Sequence, residues 1–124
     1  MPRILVADDD AIQLELRKLL LEAAGHQVYL AYSVKQTLRS LTEQGADLVM
    51  LDLRFPNAQG NPDAREGLAL IRRIHEISPT TPMLLLSGWP QDIDDQPEER
   101  MVARILVKPV KPSALIQAVR EILP

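Results

Sequence analysis

The chain lacks cysteine altogether and has few aromatic residues, with one Trp, two Tyr and one Phe among its 124 residues. Without cysteine, neither a disulfide framework nor a thiolate metal site is possible. Long apolar segments are missing too, since no apolar run approaches the roughly 20 residues that span a bilayer. A strand-like pattern begins directly after Met1-Pro2, so we expect no signal peptide. We therefore expect a cytoplasmic protein that does not enter a membrane.

An excess of positive charge is also missing, because 14 Lys and Arg residues are outnumbered by 17 Asp and Glu residues. A nucleic-acid-binding surface would normally be strongly basic, so the net charge of -3 argues against a nucleic-acid partner. The hydrophobic fraction of 46% and the charged fraction of 25% are ordinary for a globular protein. A chain of this length can bury a core without cross-links. We expect a single domain over residues 1–124, with no effector domain in this chain.

The chain does contain short apolar runs that each stop abruptly at a polar residue. The run of residues 48–51 is bounded by Asp47 and Asp52 and is typical of a strand buried on both faces of a parallel sheet. Three further runs end in the same way: 4–7 before Asp8-Asp9-Asp10, 83–86 before Ser87, and 105–107 before Lys108-Pro109. Open α/β sheets place their ligand sites at the carboxyl ends of the strands. We therefore expect carboxylates, a hydroxyl and an ammonium group to converge at one edge of a sheet.

The pattern after the first strand predicts an amphipathic helix. Asp10 is a candidate N-cap for this helix, and Gly25 is a candidate C-terminal stop. Apolar residues then recur at the spacing of one helix face. The predicted inner face consists of Ile12, Leu16, Leu19, Leu20 and Ala23.

A further strand is predicted at residues 27–31, and four more helices alternate with the strands along the chain. The second follows Ser33, the third ends before Pro79, an acidic and weakly amphipathic one covers 92–103, and the last begins at Pro112 or Ser113. Five strands that alternate with five helices predict a doubly wound α/β fold. In such a fold, right-handed crossovers cover both faces of a five-stranded parallel sheet with helices.

The residues at the predicted sheet edge are suited to phosphoryl transfer. Clustered carboxylates favour a hard cation with oxygen ligands, such as magnesium. A carboxylate beside such a cation can act as a nucleophile and form an aspartyl phosphate. Lys108 and Ser87 can supply the positive charge and the hydrogen-bond donor that the phosphoryl oxygens need.

These motifs resemble the response-regulator receiver domain family of two-component signalling, over essentially the whole chain. The resemblance rests on the acidic pair Asp8-Asp9, on Asp52, on Ser87 and on Lys108-Pro109, in this order and spacing. It implies a receiver fold with strand order 2-1-3-4-5. It also implies magnesium-dependent transfer of phosphate to Asp52 from a phosphohistidine of a histidine kinase or histidine phosphotransfer protein. The only implied chemistry is phosphorylation and dephosphorylation of Asp52 itself, which switches or relays a signal.

The same resemblance implies a role for each site residue. Asp8, Asp9 and Asp52 would hold magnesium with the backbone carbonyl of Arg54, Ser87 would contact the phosphoryl group, Lys108 would pair with it, and the Lys108-Pro109 bond would be cis. Asp10 is better interpreted as a helix cap than as a ligand. The implied partners include a downstream protein target. Self-association is also implied, through the face of the predicted fourth helix, fifth strand and fifth helix.

The sequence departs from the family pattern at two places. Ile105 stands where members usually carry an aromatic switch residue, which puts ordinary output switching in doubt. Residues 55–66 lack periodicity and predict a long loop, with an insertion between Pro56 and the matching glycine, Gly67. Arg54 and Trp89 each lie two residues beyond a site residue, where side chains of the family tune phosphorylation and dephosphorylation by gating water.

Two other interpretations stay open at this stage. A degenerate receiver would act only as a protein-binding module, without chemistry at Asp52. A small aspartate-nucleophile phosphatase of the haloacid-dehalogenase type would use similar residues around magnesium, and Asp8 and Asp10 match the spacing of its two acids. The order of the site residues along the chain fits a receiver better, and the chain is short for that phosphatase fold.

Overall fold

The computed structural model describes residues 1–123, and its centre is a parallel sheet. Its strands are β1 (Arg3–Ala7), β2 (Gln27–Ala31), β3 (Leu48–Asp52), β4 (Met83–Ser87) and β5 (Arg104–Val107). They are hydrogen-bonded side by side in the order β2-β1-β3-β4-β5, and every pairing is parallel. The predicted strand order 2-1-3-4-5 is confirmed.

Within the described residues, four α-helices cover the two faces of this sheet. They are α1 (Ala11–Ala23), α2 (Val34–Gln44), α3 (Ala64–Ile77) and α4 (Pro112–Ile122). Alternate residues of each strand point to opposite faces, so Ile4 and Val6 pack with α1 and α4, whereas Leu5 and Ala7 pack with α2 and α3. The predicted doubly wound architecture is therefore confirmed. None of the helices in residues 1–123 is long and apolar enough to cross a membrane.

The predicted fourth helix at residues 92–103 is wrong. This segment instead forms two short 3-10 helices, Pro90–Asp92 and Pro97–Met101. Pro97 explains the break, because proline has no N–H to donate and disfavours helical backbone in the residue before it. Gln96 is accordingly extended, with φ -84° and ψ 147°. Self-association through the surface of this segment, β5 and α4 stays a prediction.

The predicted inner face of α1 is wrong except for Leu20, which is partly buried against the core. The residues that α1 buries are Leu14, Arg17 and Leu21, on the other side of the helix. Of the predicted set, Ile12, Leu16 and Leu19 are 71%, 50% and 65% exposed. Both sides of α1 carry apolar residues, so periodicity alone does not fix its rotation. The predicted Asp10 cap is confirmed, since its Oδ1 accepts hydrogen bonds from the backbone N–H groups of Ile12 and Gln13.

The segment after β3 is more ordered than the long loop that we predicted. Phe55–Pro56 pairs antiparallel with Pro62–Asp63 to form a small hairpin, and α3 begins directly afterwards, at Ala64 instead of after residue 66. In the turn, Asn57 Oδ1 accepts hydrogen bonds from the backbone N–H groups of Gln59 and Asn61. The structure also explains the glycine that follows. A Cβ atom at Gly67 would lie 1.9 Å from the backbone oxygen of Leu53, so only glycine lets α3 approach the end of β3 this closely.

Candidate functional site

Three carboxylates meet at the carboxyl ends of β1 and β3. Ala7 is paired with Leu51 in the sheet, so the residues that follow them, Asp8 and Asp52, leave neighbouring strands side by side. One carboxylate oxygen from each of Asp8, Asp9 and Asp52 lies within 4.8 Å of the others. Asp8 is buried, Asp52 is partly buried and Asp9 is exposed. The predicted convergence of these acids is therefore present, and we call these three residues the acidic cluster.

Burial and mutual repulsion shape the ionisation of this cluster. Burial raises the pKa of Asp52, the ammonium group of Lys108 works against that change, and the Asp8 carboxylate adds to it. The pKa of Asp9 is also raised, because its carboxyl is partly desolvated although the residue is largely exposed, and because it lies beside Asp8. A carboxylate gathered with others in this way is stabilised by a nearby cation.

Lys108 and Ser87 lie at the ends of the next two strands. Lys108 Nζ is 3.2 Å from Asp52 Oδ1, and the Lys108-Pro109 peptide bond is cis, as the resemblance implied. Asp52 is paired with Leu86, which places the buried Ser87 one residue further along the adjacent strand. Ser87 Oγ accepts a hydrogen bond from the backbone N–H of Trp89 at 3.1 Å. Its own hydroxyl hydrogen can therefore be donated elsewhere.

Arg54 and Trp89 form a contact at the rim of this edge. The guanidinium carbon of Arg54 lies 3.7 Å from the centre of the Trp89 ring, the geometry of a cation–π interaction. Arg54 Nε also donates to Asp92 Oδ2 at 2.7 Å. These contacts join the segment after β3 to the segment after β4. The role of the Arg54 backbone carbonyl as a metal ligand stays a prediction.

Arg17 is a site residue that the sequence analysis missed. It is 7% exposed, and its Nη1 donates to Oδ2 of Asp8, itself 1% exposed, at 2.8 Å. Arg17 lies outside the predicted inner face of α1. A signal was nevertheless present, because Leu14, Arg17 and Leu21 recur at i, i+3 and i+7, the spacing of a second buried face.

A groove of about 780 Å³ adjoins the site on the α1 side. It lies between α1 and the segment that follows β5, and its lining is mostly apolar, with Leu16, Leu20 and Trp89 among the contributors. The outward side chains of Ile12 and Leu19 extend the apolar surface along α1. Exposed apolar patches of this kind commonly mark protein interaction sites.

The residues present fit a magnesium ion. Magnesium prefers oxygen ligands and usually combines one or two carboxylates with water and phosphate oxygens. The acidic cluster offers carboxylate oxygens within 4.8 Å of one another, and one of its members, Asp9, is open to solvent. When bound here, magnesium would place positive charge beside the carboxylate oxygens of the acidic cluster.

A doubly wound sheet with these acids and a lysine at its carboxyl edge defines a receiver-type signalling module. The chain belongs to the response regulator receiver domain family, whose sequence model matches residues 4–120. The chain is 32% identical over 121 residues to the transcriptional regulatory protein GlrR of Escherichia coli K12. The matched region covers 97% of this chain and 26% of that protein. The chain is 35% identical over 121 residues to the transcriptional regulatory protein AfsQ1 of Streptomyces coelicolor, of which it covers 50%. The chain thus spans only a quarter to a half of the length of these relatives.

Solved structures show the same fold. A response regulator receiver domain protein from Clostridium thermocellum has a TM-score of 0.85 and 28% identity, over 99% of this chain and 94% of that one. The response regulator TrrA from Thermotoga maritima, solved in complex with Mg²⁺-BeF, has a TM-score of 0.86 and 25% identity, over 99% of this chain and 100% of that one. These similarities and the strand order favour the receiver over the phosphatase considered above.

Proposed function

We propose that this chain acts as one receiver domain that accepts a phosphoryl group on Asp52 from a phosphohistidine, with magnesium held by Asp8, Asp9 and Asp52. The observation that carries the proposal is the acidic cluster itself, with carboxylate oxygens within 4.8 Å and Lys108 Nζ 3.2 Å from Asp52. The donor would be a histidine kinase or a histidine phosphotransfer protein. The phosphorylated domain then switches a downstream protein or passes the signal on.

The transfer is a displacement at phosphorus. A carboxylate oxygen of Asp52 attacks the phosphorus atom, the P–N bond of the phosphohistidine breaks, and the leaving imidazole nitrogen keeps the electron pair and becomes protonated. Lys108 can leave Asp52 and pair with a phosphoryl oxygen, because its side chain is long and 31% exposed. Ser87 donates its hydroxyl hydrogen to another phosphoryl oxygen. Charge stabilisation of this kind dominates the catalysis of phosphoryl transfer.

The exposed side of α1 is the surface on which the donor protein docks. A donor histidine must reach Asp52, so the donor must cover the surface that borders the sheet edge. Leu16 lines the groove beside Lys108, and Ile12 and Leu19 extend that surface with exposed apolar side chains. Burying these side chains against a partner would stabilise the complex. Self-association through the second 3-10 helix, β5 and α4 stays a separate prediction.

The acceptor role is tested with a small donor that needs no docking. The protein is incubated with acetyl phosphate and magnesium, and its intact mass is measured beside Asp52→Asn and a sample without magnesium. We expect one added phosphoryl group that requires both magnesium and Asp52. An unlabelled protein, under conditions that label a working receiver, would contradict the proposal and leave a binding module that lacks the chemistry.

The docking surface is tested with a variant outside the site. In Leu19→Glu, transfer from a phosphorylated histidine phosphotransfer protein of the same organism should slow, because the charge disrupts an apolar contact. Labelling by acetyl phosphate should be unchanged in the same variant. Equal transfer to the wild type and the variant would argue against this surface.

A further inference from the structure

Arg17 places a permanent positive charge against the acidic cluster from the side of α1, where it also borders the groove. It lies in the middle of the buried face of α1, between Leu14 and Leu21, and its side chain is almost entirely removed from solvent. A guanidinium group stays protonated in proteins and is held rigidly when it is paired with a carboxylate. Burying this charge would be strongly unfavourable without a partner. Asp8 is that partner, at 2.8 Å.

Both oxygens of Asp8 are already engaged by groups of the protein. Oδ2 accepts from Arg17 Nη1, and Oδ1 accepts from the backbone N–H of Asp10 at 3.1 Å. The carboxylate is therefore fixed in orientation in the absence of a metal. A divalent cation that binds Asp8 has to share it with the guanidinium and is repelled by it.

We propose that Arg17 is a built-in counter-cation, a positioning residue that holds Asp8 in place and weakens the affinity of the acidic cluster for magnesium. The inference rests on the magnesium site of the proposed function and adds a determinant of its affinity. Because Lys108 neutralises Asp52 from the solvent side, two cations offset the three carboxylates before any metal arrives. Occupancy of the site then follows the surrounding magnesium concentration, and the empty cluster stays folded.

The charge of Arg17 can be separated from its hydrogen bond with two variants. Arg17→Gln removes the charge and keeps an N–H donor, whereas Arg17→Lys keeps the charge and replaces the planar guanidinium group with an ammonium group. Arg72→Met is the matched control, since it breaks a 2.7 Å ion pair with another buried carboxylate, Glu98, between α3 and the second 3-10 helix.

Magnesium binding is measured by calorimetry at fixed ionic strength and, independently, from the rise in melting temperature with magnesium concentration. We expect Arg17→Gln to bind magnesium at least about tenfold more tightly than the wild type, because one repelling charge is removed from a poorly solvated site. Its melting temperature should be lower without magnesium and should rise more steeply as magnesium is added. Arg17→Lys and Arg72→Met should bind with nearly the affinity of the wild type.

The outcomes separate this proposal from the proposed function. Equal or weaker magnesium binding by Arg17→Gln, alongside normal binding by the wild type, overturns the role of Arg17 and leaves the acceptor role intact. An absence of binding in the wild type and in every variant overturns the magnesium site, and the Arg17 proposal with it. If Arg17→Gln folds only with magnesium, the dependence of its melting temperature on magnesium still gives the affinity.

Discussion

Arg17 and Lys108 each place a cation on one carboxylate of the acidic cluster, but in opposite surroundings. The pair of Arg17 and Asp8 is almost fully buried, with a planar guanidinium at 2.8 Å. The pair of Lys108 and Asp52 is partly exposed, with a flexible ammonium at 3.2 Å. A buried partner cannot be removed without leaving a charge in the interior, whereas a partly exposed pair contributes little to stability. We infer that Arg17 maintains the site and that Lys108 is free to take part in its chemistry.

Removing the buried cation should have the largest effect. In metal-free buffer, Arg17→Met should lower the free energy of unfolding by about 3 kcal/mol, because Asp8 is left buried without a partner. Urea denaturation followed by circular dichroism measures the change. Adding Asp8→Asn to this variant should recover part of the loss, since the stranded charge disappears. A loss below about 1 kcal/mol would mean that Asp8 is better solvated than its burial indicates.

Removing the exposed cation should affect the chemistry more than the stability. Lys108→Met should slow labelling by acetyl phosphate at least about tenfold, equivalent to about 1.4 kcal/mol in the activation free energy. Its free energy of unfolding should change by less than about 1 kcal/mol. The labelling rate is read from intact mass against time, with Lys111→Met as a control for loss of a nearby exposed lysine. Strong destabilisation of Lys108→Met would instead show that Lys108, like Arg17, is needed for the stability of the fold.

A third prediction concerns the loss of stability when the partly buried Asp52 ionises beside Lys108. The pKa of Asp52 in the folded protein is raised above its ordinary 3.8, mainly by burial, so the folded state binds this proton more tightly than the unfolded chain does. The associated stability is present below pH 3.8 and is lost as the pH rises through the folded pKa. In metal-free buffer at neutral pH, Asp52→Asn should therefore melt at a higher temperature than the wild type.

The difference between Asp52→Asn and the wild type should shrink as the pH falls toward 3.8 and then vanish. Melting curves across the acid range measure it. A difference that stays constant with pH would show that the ionisation of Asp52 is not its cause.

The smallest effect on stability is expected for Arg54, which lies beside the acidic cluster but pairs with Asp92, a residue outside the cluster. Arg54→Ala removes the contact with Trp89 and the ion pair with Asp92, both partly exposed, so the free energy of unfolding should fall only slightly. The fluorescence of Trp89, the only Trp in the chain, should change, because a cation leaves its ring. Arg65→Ala breaks another Arg–Asp pair and should leave the fluorescence unchanged.

The sheet and the acidic cluster could be predicted from the sequence because each depends on short-range patterns. Apolar runs that stop at Asp8, Asp52, Ser87 and Lys108 indicate strand ends, and parallel strands bring their ends to one edge. The partnership of Arg17 with Asp8 could not be predicted in this way. It depends on the rotation of α1, which in turn depends on tertiary packing.

Errors elsewhere have local physical causes. The predicted fourth helix ignored Pro97, although a proline within a helical pattern is a visible signal of a break. The loop at 55–66 gave no periodicity because its order comes from side chains that hydrogen-bond to nearby backbone, chiefly Asn57 and the α3 cap Asp63. Two paired residues on each side are too few to produce an alternating pattern.

The two short strands of the hairpin after β3 pair only with each other, so the hairpin is a separate unit beside the main sheet. Phe55 anchors one end in the core, and Gly67, packed against Leu53, fixes the start of α3 at the other end. Between these anchors, the chain turns back on itself, and Phe55 and Pro56 pair with Asp63 and Pro62. We therefore infer that this segment can change in sequence while Asp52 keeps its place, so that a binding surface here can evolve separately from the acidic cluster.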